Sequence, residues 1–329
     1  MRFTFVNSNL FRIALGTILS LVFLALALKD VPLDAVAQSL ARVDYFWVAL
    51  AVSAAIVQTW LRGVRWILLY YPHQSRLRIA PMWAISTIGQ MLNIVVPWRV
   101  GELARIYLAS EIAKQSKTQT LATLATEKIF DTLMLLLLLV TIPMFMALPA
   151  YLEEPRQGIA FLSATLFVAA LGLLVFREQI VRALERVSFR GRNILQDHAR
   201  VALNGLDVFT RADIHFQLQL FSIAIWFLGV LINYLCLLAL NLSLPFVSAL
   251  VLMAVLQLGG LVPSSPGKVG VFQLLCILAL ALFGVDKGAG LSYGILLYLV
   301  AYAPPIILGI LFLWWGGVKW QGPILNSKS

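Results

Sequence analysis

The sequence predicts an all-α polytopic membrane protein. It reads as about six full spans plus two broken, re-entrant helix hairpins, or about eight membrane segments, in an arrangement resembling an inverted repeat. Three observations carry this. Of the 329 residues, 61% are hydrophobic and 12% charged, against about 25% charged in an ordinary soluble domain. Mean hydropathy is +0.90, and several apolar runs reach the ~20 residues needed to cross a bilayer. Two of the apolar regions are interrupted by Pro, Gly and charge in the same way, at Asn93–Arg105 and at Gly259–Gly270. A β-barrel would instead show weak alternating segments.

Span 1 is expected over 11–28, with Arg2 and Arg12 ahead of the apolar stretch that runs to Leu28. Ala25-Leu-Ala27 mimics a signal-peptide cleavage site, but a retained span suits a chain that is membrane-embedded throughout. Residues 31–44 place Val31, Leu33, Val36, Leu40 and Val43 among Asp34, Gln38 and Arg42, as in a short helix lying on a membrane surface. Span 2 covers 45–70 and opens on the aromatic belt Tyr45-Phe46-Trp47. Near its far end Arg62, Arg65 and Trp66 are expected at head-group level, with the arginines snorkelling. The first broken region follows at 79–112. Span 3 covers 121–148, span 4 covers 159–176, span 5 covers 215–240, and the second broken region lies within 245–284. The last span, 288–316, carries Pro304-Pro305 and the Trp314-Trp315 belt.

These segments form a single integral membrane domain, 1–329. Its first half is 1–176, a cytoplasmic basic loop fills 177–212, and the second half is 213–329. That loop holds seven arginines against Glu178, Glu185, Asp197 and Asp207, so it faces the cytoplasm, and the acidic 149–158 loop faces outward. Arg62, Arg65, Arg76 and Arg78 lie before region 79–112, and Lys114 and Lys117 after it, so both of its ends face the cytoplasm. It must enter and leave on one side. By the same accounting 245–284 enters from outside and returns there, so the hairpins point at each other. Both termini are cytoplasmic, with Lys319 and Lys328 at the C-terminal end. The expected location is a bacterial-type cytoplasmic membrane. The net charge of +10 sets orientation and holds the protein to anionic lipid; without a soluble basic domain it does not indicate nucleic acid.

The candidate substrate-binding residues cluster at the breaks. Pro97 and Gly101 would free backbone groups, and Arg99 and Arg105 offer guanidinium groups suited to phosphate or carboxylate. Glu102 is expected to pair with either arginine, and Asn93 opens the segment. The alternative is a cytoplasmic loop with a surface ion pair. In the second break, Gly260, Pro263, Pro266, Gly267 and Gly270 interrupt the helix. Ser264 and Ser265 are placed to cap a helix starting near Pro266, where free N–H groups and Lys268 would attract an anion. The alternative is an outward-facing turn. The Walker pattern is incomplete, which excludes a P-loop. Glu127 and Asp131, four apart, share one helix face beside Lys128; they are expected to partner Arg99 or Lys268, bind an amine or carry a proton, or form a structural ion pair. Asn93, Asn233, Gln257 and Gln273 are candidate interhelical hydrogen-bond formers. Cys236 and Cys276 read as small core residues. His73, His198 and His215 have no metal-ligand spacing, so no metal or cofactor is expected.

Taken together, Arg62-Gly-Val-Arg65-Trp66, Asn93…Pro97-x-Arg99-x-Gly101-Glu102-x-x-Arg105, Thr126-Glu127-Lys128-x-Phe130-Asp131 and Gly259-Gly260-x-Val262-Pro263-Ser264-Ser265-Pro266-Gly267-x-x-Gly270 resemble the integral-membrane domain found N-terminal to lysylphosphatidylglycerol synthases. That domain also occurs as stand-alone flippase-like proteins. The resemblance spans nearly the whole chain. It implies about eight helical segments with re-entrant elements, consistent with the hydropathy reading, and a role in moving or handling lipids. The sequence ends at Ser329 without the soluble aminoacyl-transfer domain of the fused proteins, so synthesis of lysylphosphatidylglycerol is not expected of it.

The leading expectation is therefore a lipid flippase that moves a phospholipid or a polyprenyl- or glycolipid head group between leaflets, with membrane lipids as its partners. One alternative is a membrane-embedded lipid-linked glycosyl- or phospho-transferase, which Asp30 and Asp34 support poorly as a metal motif. The other is a non-transporting scaffold that binds an envelope-biosynthesis partner protein through 177–212.

Overall fold

The structure is a computed structural model that describes residues 18, 20–29, 31–72, 74, 77–96, 100–145, 161, 164–165, 168, 212–260 and 266–315. The expectations for Pro97, Arg99, Pro263, Ser264, Ser265, the chain termini, most of 159–176 and the loop 177–211 fall outside these residues. All regular structure among the described residues is helical. After helical residues 20–28 come α1 (Leu33–Ala41), α2 (Tyr45–Leu68), α3 (Ile79–Val95), α4 (Val100–Ala113), α5 (Lys117–Phe145) and α6 (Ala212–Ala239). They are followed by α7 (Val247–Gly259), a 3₁₀ turn (Pro266–Lys268), α8 (Val271–Ala281) and α9 (Lys287–Trp314).

The helix starts are written locally. Asp44 accepts a hydrogen bond from the Phe46 N–H at the head of α2, and Asp286 accepts from the Gly288 and Ala289 N–H groups at the head of α9, each satisfying donors a helix start leaves free. The Asp44 N–H donates to the Ala239 carbonyl, which ties the start of α2 to the end of α6. The two helices run antiparallel, since Gln58 Nε2 donates to the Ile225 carbonyl further along. On α6 the exposed residues Phe216, Leu220, Ile223 and Phe227 recur every three to four positions. A helix that turns an apolar stripe outward while packing its other face is suited to lipid.

Helices α2, α9 and Ile214–Ala239 are long and apolar enough to cross a membrane, whereas α3, α7 and α8 are shorter. The short helices form hairpins. In α3 and α4 the neighbours are Asn93 with Gly101 and Gly89 with Arg105, an antiparallel register. Gly101 is therefore not a backbone break, as the sequence suggested. It lies inside α4, buried, where a Cβ would overlap the Gly89 carbonyl oxygen. The glycine lets two backbones approach, as small residues do between membrane helices.

The long helix α9 aligns the two hairpins. Near its C-terminal end Gly309 packs on Met91 of α3, and Phe312 meets Trp83 edge-on at 5.0 Å. Nearer its start Gly290 and Gly294 pack on Ile277 and Gln273 of α8. Helix α9 is thus antiparallel to both α3 and α8, so α3 and α8 point the same way. Helix α3 runs into the junction and α8 runs out of it. At the junction Gly267 of the 3₁₀ turn lies beside the Ile94 carbonyl and the Tyr298 hydroxyl. The hairpins meet tip to tip along α9, whose 28 residues extend about 42 Å at 1.5 Å per residue.

Candidate functional site

A buried ion network lies beside this junction, built from α2, α4, α5 and α6. Arg65 is 1% exposed, Arg105 6% and Glu127 5%. Arg105 Nη2 donates to Glu127 Oε2 at 2.6 Å, and its Nη1 reaches Oε1 at 3.5 Å. Arg65 Nη1 donates to Asp131 Oδ1 at 2.8 Å and to Ser222 Oγ at 3.2 Å. Arg65 Nη2 lies 3.5 Å from Glu127 Oε1, so one carboxylate is flanked by two guanidinium groups. Such fork-to-carboxylate contacts are among the stronger hydrogen bonds in proteins.

Local structure explains how each side chain arrives. Residues 127 and 131, one turn apart on α5, present both carboxylates on one face. The aliphatic stem of Arg105 crosses α3 over Gly89, where a Cβ would collide with its Cγ and Cδ. Its guanidinium carbon then sits 4.0 Å from the centroid of the Trp66 ring, a cation–π contact. Trp66 is anchored by its Nε1–H donating to Thr123 Oγ1 at 3.0 Å, and the Tyr70 hydroxyl donates to Thr120 Oγ1 at 3.2 Å. Gly63 lets Trp83 pack against α2, and Trp83 Nε1–H donates to Thr59 Oγ1 at 3.1 Å.

Glu127, Asp131 and Ser222 lie well inside the helices that carry them. At 1.5 Å per residue, Glu127 is about 15 Å and Asp131 about 21 Å along α5 from Lys117, and Ser222 is about 15 Å along α6. The hydrocarbon core of a bilayer is about 30 Å thick. Arg65 and Trp66, 1% and 0% exposed, are enclosed among helices and do not snorkel along a lipid-facing surface, as the position of Arg62 and Arg65 near the end of a span had suggested. The end of α2 is buried, with Ile67, Leu69 and Tyr70 enclosed beside Arg65 and Trp66.

Several expected partners are corrected. Glu127 and Asp131 pair with Arg105 and Arg65, not with Lys268. Glu102 places its Oε1 3.4 Å from Lys128 Nζ, on the exposed side of α4 and α5. Asn93 is half-buried, and its Oδ1 faces Gly101 without a hydrogen-bond partner. Lys268 places its Nζ beside Gly260 at the C-terminal end of α7, where carbonyl groups and the helix dipole favour a cation. The helix that starts at Pro266 is only the 3₁₀ turn Pro266–Lys268; α8 starts at Val271, and the N–H of its cap, Gly270, is taken by Gln273 Oε1 at 2.7 Å. Gly270 has φ of 86° and packs against Ser20 and Leu24. Gly267, with φ of 73°, forms the turn, and Gly260 ends α7 in ordinary helical geometry. Asn233 does bond between helices, accepting at Oδ1 from the Tyr293 hydroxyl at 3.1 Å; Gln257 is exposed. Cys236 and Cys276 are free and buried in the apolar core of α2, α6, α8 and α9.

Arg65 and Arg62 were missed as site residues. The signal was present: Arg62 and Arg65, three apart, share a face of α2, as Glu127 and Asp131 share a face of α5. Two carboxylates facing into a bundle require cations from other helices; Arg65 of this pair supplies one and Arg105 of α4 the other.

The fold and its network define the class: a polytopic helical membrane protein that keeps ionised groups buried among its helices. The chain belongs to the family described as the lysylphosphatidylglycerol synthase TM region, whose family model matches residues 13–309. That membership makes it an integral membrane protein involved in lipid handling. No curated protein matches it in a sequence comparison.

Proposed function

We propose that the protein is a lipid flippase that moves a lipid's polar head group between the leaflets of a cytoplasmic membrane while the acyl chains stay in lipid. The observation that carries the reading is the ion network beside the junction of two half-length hairpins. Buried ion pairs contribute little net stability compared with apolar packing of the same volume. Ionised groups at membrane depth mark substrate or ion pathways. Paired broken helices in the two halves of a chain mark transporter binding sites near the midplane. On this reading α3–α4 and α7–α8 are re-entrant hairpins that approach from opposite faces, and both termini are cytoplasmic. Of the sequence-derived candidates, Arg105 and Glu127 form the network's fixed frame and Asp131 is its partly exposed member, with a side chain 22% exposed.

The test is a leaflet-specific assay in proteoliposomes with fluorescent phospholipids and polyprenyl phosphates, comparing wild type with Asp131→Asn. Protein-dependent movement of one lipid class, slowed in the variant, is the expected result. Folded protein that moves no lipid of either class would overturn the reading.

A further inference from the structure

The network's charges do not balance. Among the described residues it contains Arg62, Arg65 and Arg105 against Glu127 and Asp131, so 3 − 2 leaves one positive charge. Arg65 and Arg105 are held by the carboxylates, and Lys128 pairs with Glu102 at the edge. The excess cation is Arg62. It is half-buried, within electrostatic range of Asp131, Arg65, Glu127 and Arg105, and has no ion-pair partner among the described residues.

Two further observations point to a missing acceptor. Arg65 Nη2, on a side chain that is 1% exposed, has no hydrogen-bond partner although it is buried. Its 3.5 Å approach to Glu127 is loose for a charged donor, which prefers about 2.7–2.9 Å. Arg62 lies three residues before Arg65 on the same face of α2. The network's more exposed members are Asp131, which is partly exposed, and Arg62, which is half-buried, whereas Glu127 and Arg105 are enclosed. An uncompensated charge is costly at membrane depth, and an anion reaching Arg62 would neutralise it.

We propose that Arg62 is the contact for a phosphate-type anion at the more exposed part of the buried network, with Arg65 Nη2 as a second donor. The ligand is a group with one net negative charge and several acceptor oxygens, of the kind a phosphodiester presents. This rests on the lipid-translocation reading only in taking a lipid head group as the natural source of that group. Arg65, Glu127 and Arg105 hold the site in shape.

Binding to the purified full-length protein in detergent tests this without any requirement for transport. Short-chain phosphatidylglycerol, inorganic phosphate and short-chain diacylglycerol would be titrated into wild type, Arg62→Gln and Arg62→Lys, each first checked for a monodisperse, helical state. Loss of one charge-assisted contact predicts about tenfold weaker phosphatidylglycerol binding in Arg62→Gln. Arg62→Lys should retain most of it, because the charge persists and only the fork geometry is lost. Wild-type binding should weaken as salt is raised. Competition by inorganic phosphate supports the shared chemistry, and phosphate binding without lipid binding would assign the site to the free ion. Equal affinity in wild type and Arg62→Gln, or diacylglycerol binding as tightly as phosphatidylglycerol, would overturn the proposal. If Arg62→Gln does not fold, salt-independent binding to wild type, or a tenfold loss in Arg62→Lys, would do so. Failure here removes the Arg62 site whatever the vesicle assay gives, and failure of lipid movement with intact binding removes the transport reading alone.

Discussion

The two hairpins share one sequence grammar and use it differently. Each breaks an apolar run with Pro, Gly and a basic residue. The α3–α4 hairpin sends its arginine outward, across Gly89 and over Trp66, into a carboxylate on α5. The α7–α8 hairpin turns its groups back on itself: Lys268 sits at the end of α7, and Gln273 closes the start of α8. The first carries its arginine to a carboxylate on another helix, whereas Lys268 and Gln273 of the second lie against positions within their own hairpin. A charged break in a membrane segment therefore marks irregular backbone, and its nearest polar partner decides whether the charge builds a site or only ends a helix.

This contrast can be broken from either side. The largest effect is expected at Glu127→Gln, which leaves Arg105 and Arg65 facing a neutral amide. Breaking a buried pair from one side costs about 3–5 kcal/mol, so denaturant unfolding in detergent should show a large loss of stability or no folded protein. Next are the glycines. Gly101→Ala drives a methyl group into the Gly89 carbonyl, and such overpacking costs about 1–3 kcal/mol; a fall in melting temperature by size-exclusion thermal challenge checks it. Gly270→Ala adds strain at positive φ to a clash with Ser20, and a comparable loss of about 1–3 kcal/mol is expected. Removing one neutral cap bond in Gln273→Ala should cost about 1 kcal/mol. The smallest effect is expected at Lys268→Gln, about 0.3–1 kcal/mol for a cation at a helix C-terminus. A loss at Lys268 as large as that at Glu127 would erase the distinction between the hairpins.

Much of this was legible in the sequence, and the limits have physical causes. Hydropathy and charge asymmetry give the helices, the hairpins and their opposed tips, because lipid punishes unpaired backbone and charge wherever they occur. Glu127 and Asp131 were visible as a pair because four residues make one turn. The partners were not visible: which cation reaches Glu127 depends on the antiparallel packing of α4 against α5 and on the space above Gly89, and periodicity carries neither. Arg65 looked like a snorkelling residue because it lies near the end of a span, and only the burial of that end revises it. Gly101 read as a break because glycine serves equally for irregular backbone and for close helix packing. The helix start expected near Pro266 is a short 3₁₀ turn, and α8 begins three residues after Lys268, at Val271, with its cap N–H taken by Gln273.

The central claim is that Arg105 and Glu127 form a coupled pair at the heart of the network. The most direct test is a double-mutant cycle on Arg105→Gln, Glu127→Gln and the double variant, with unfolding followed by denaturant titration in detergent. The account predicts that the double variant is more stable than the two single losses summed would allow, with a coupling of about 2 kcal/mol or more. Additive losses, with no coupling beyond error, would contradict it.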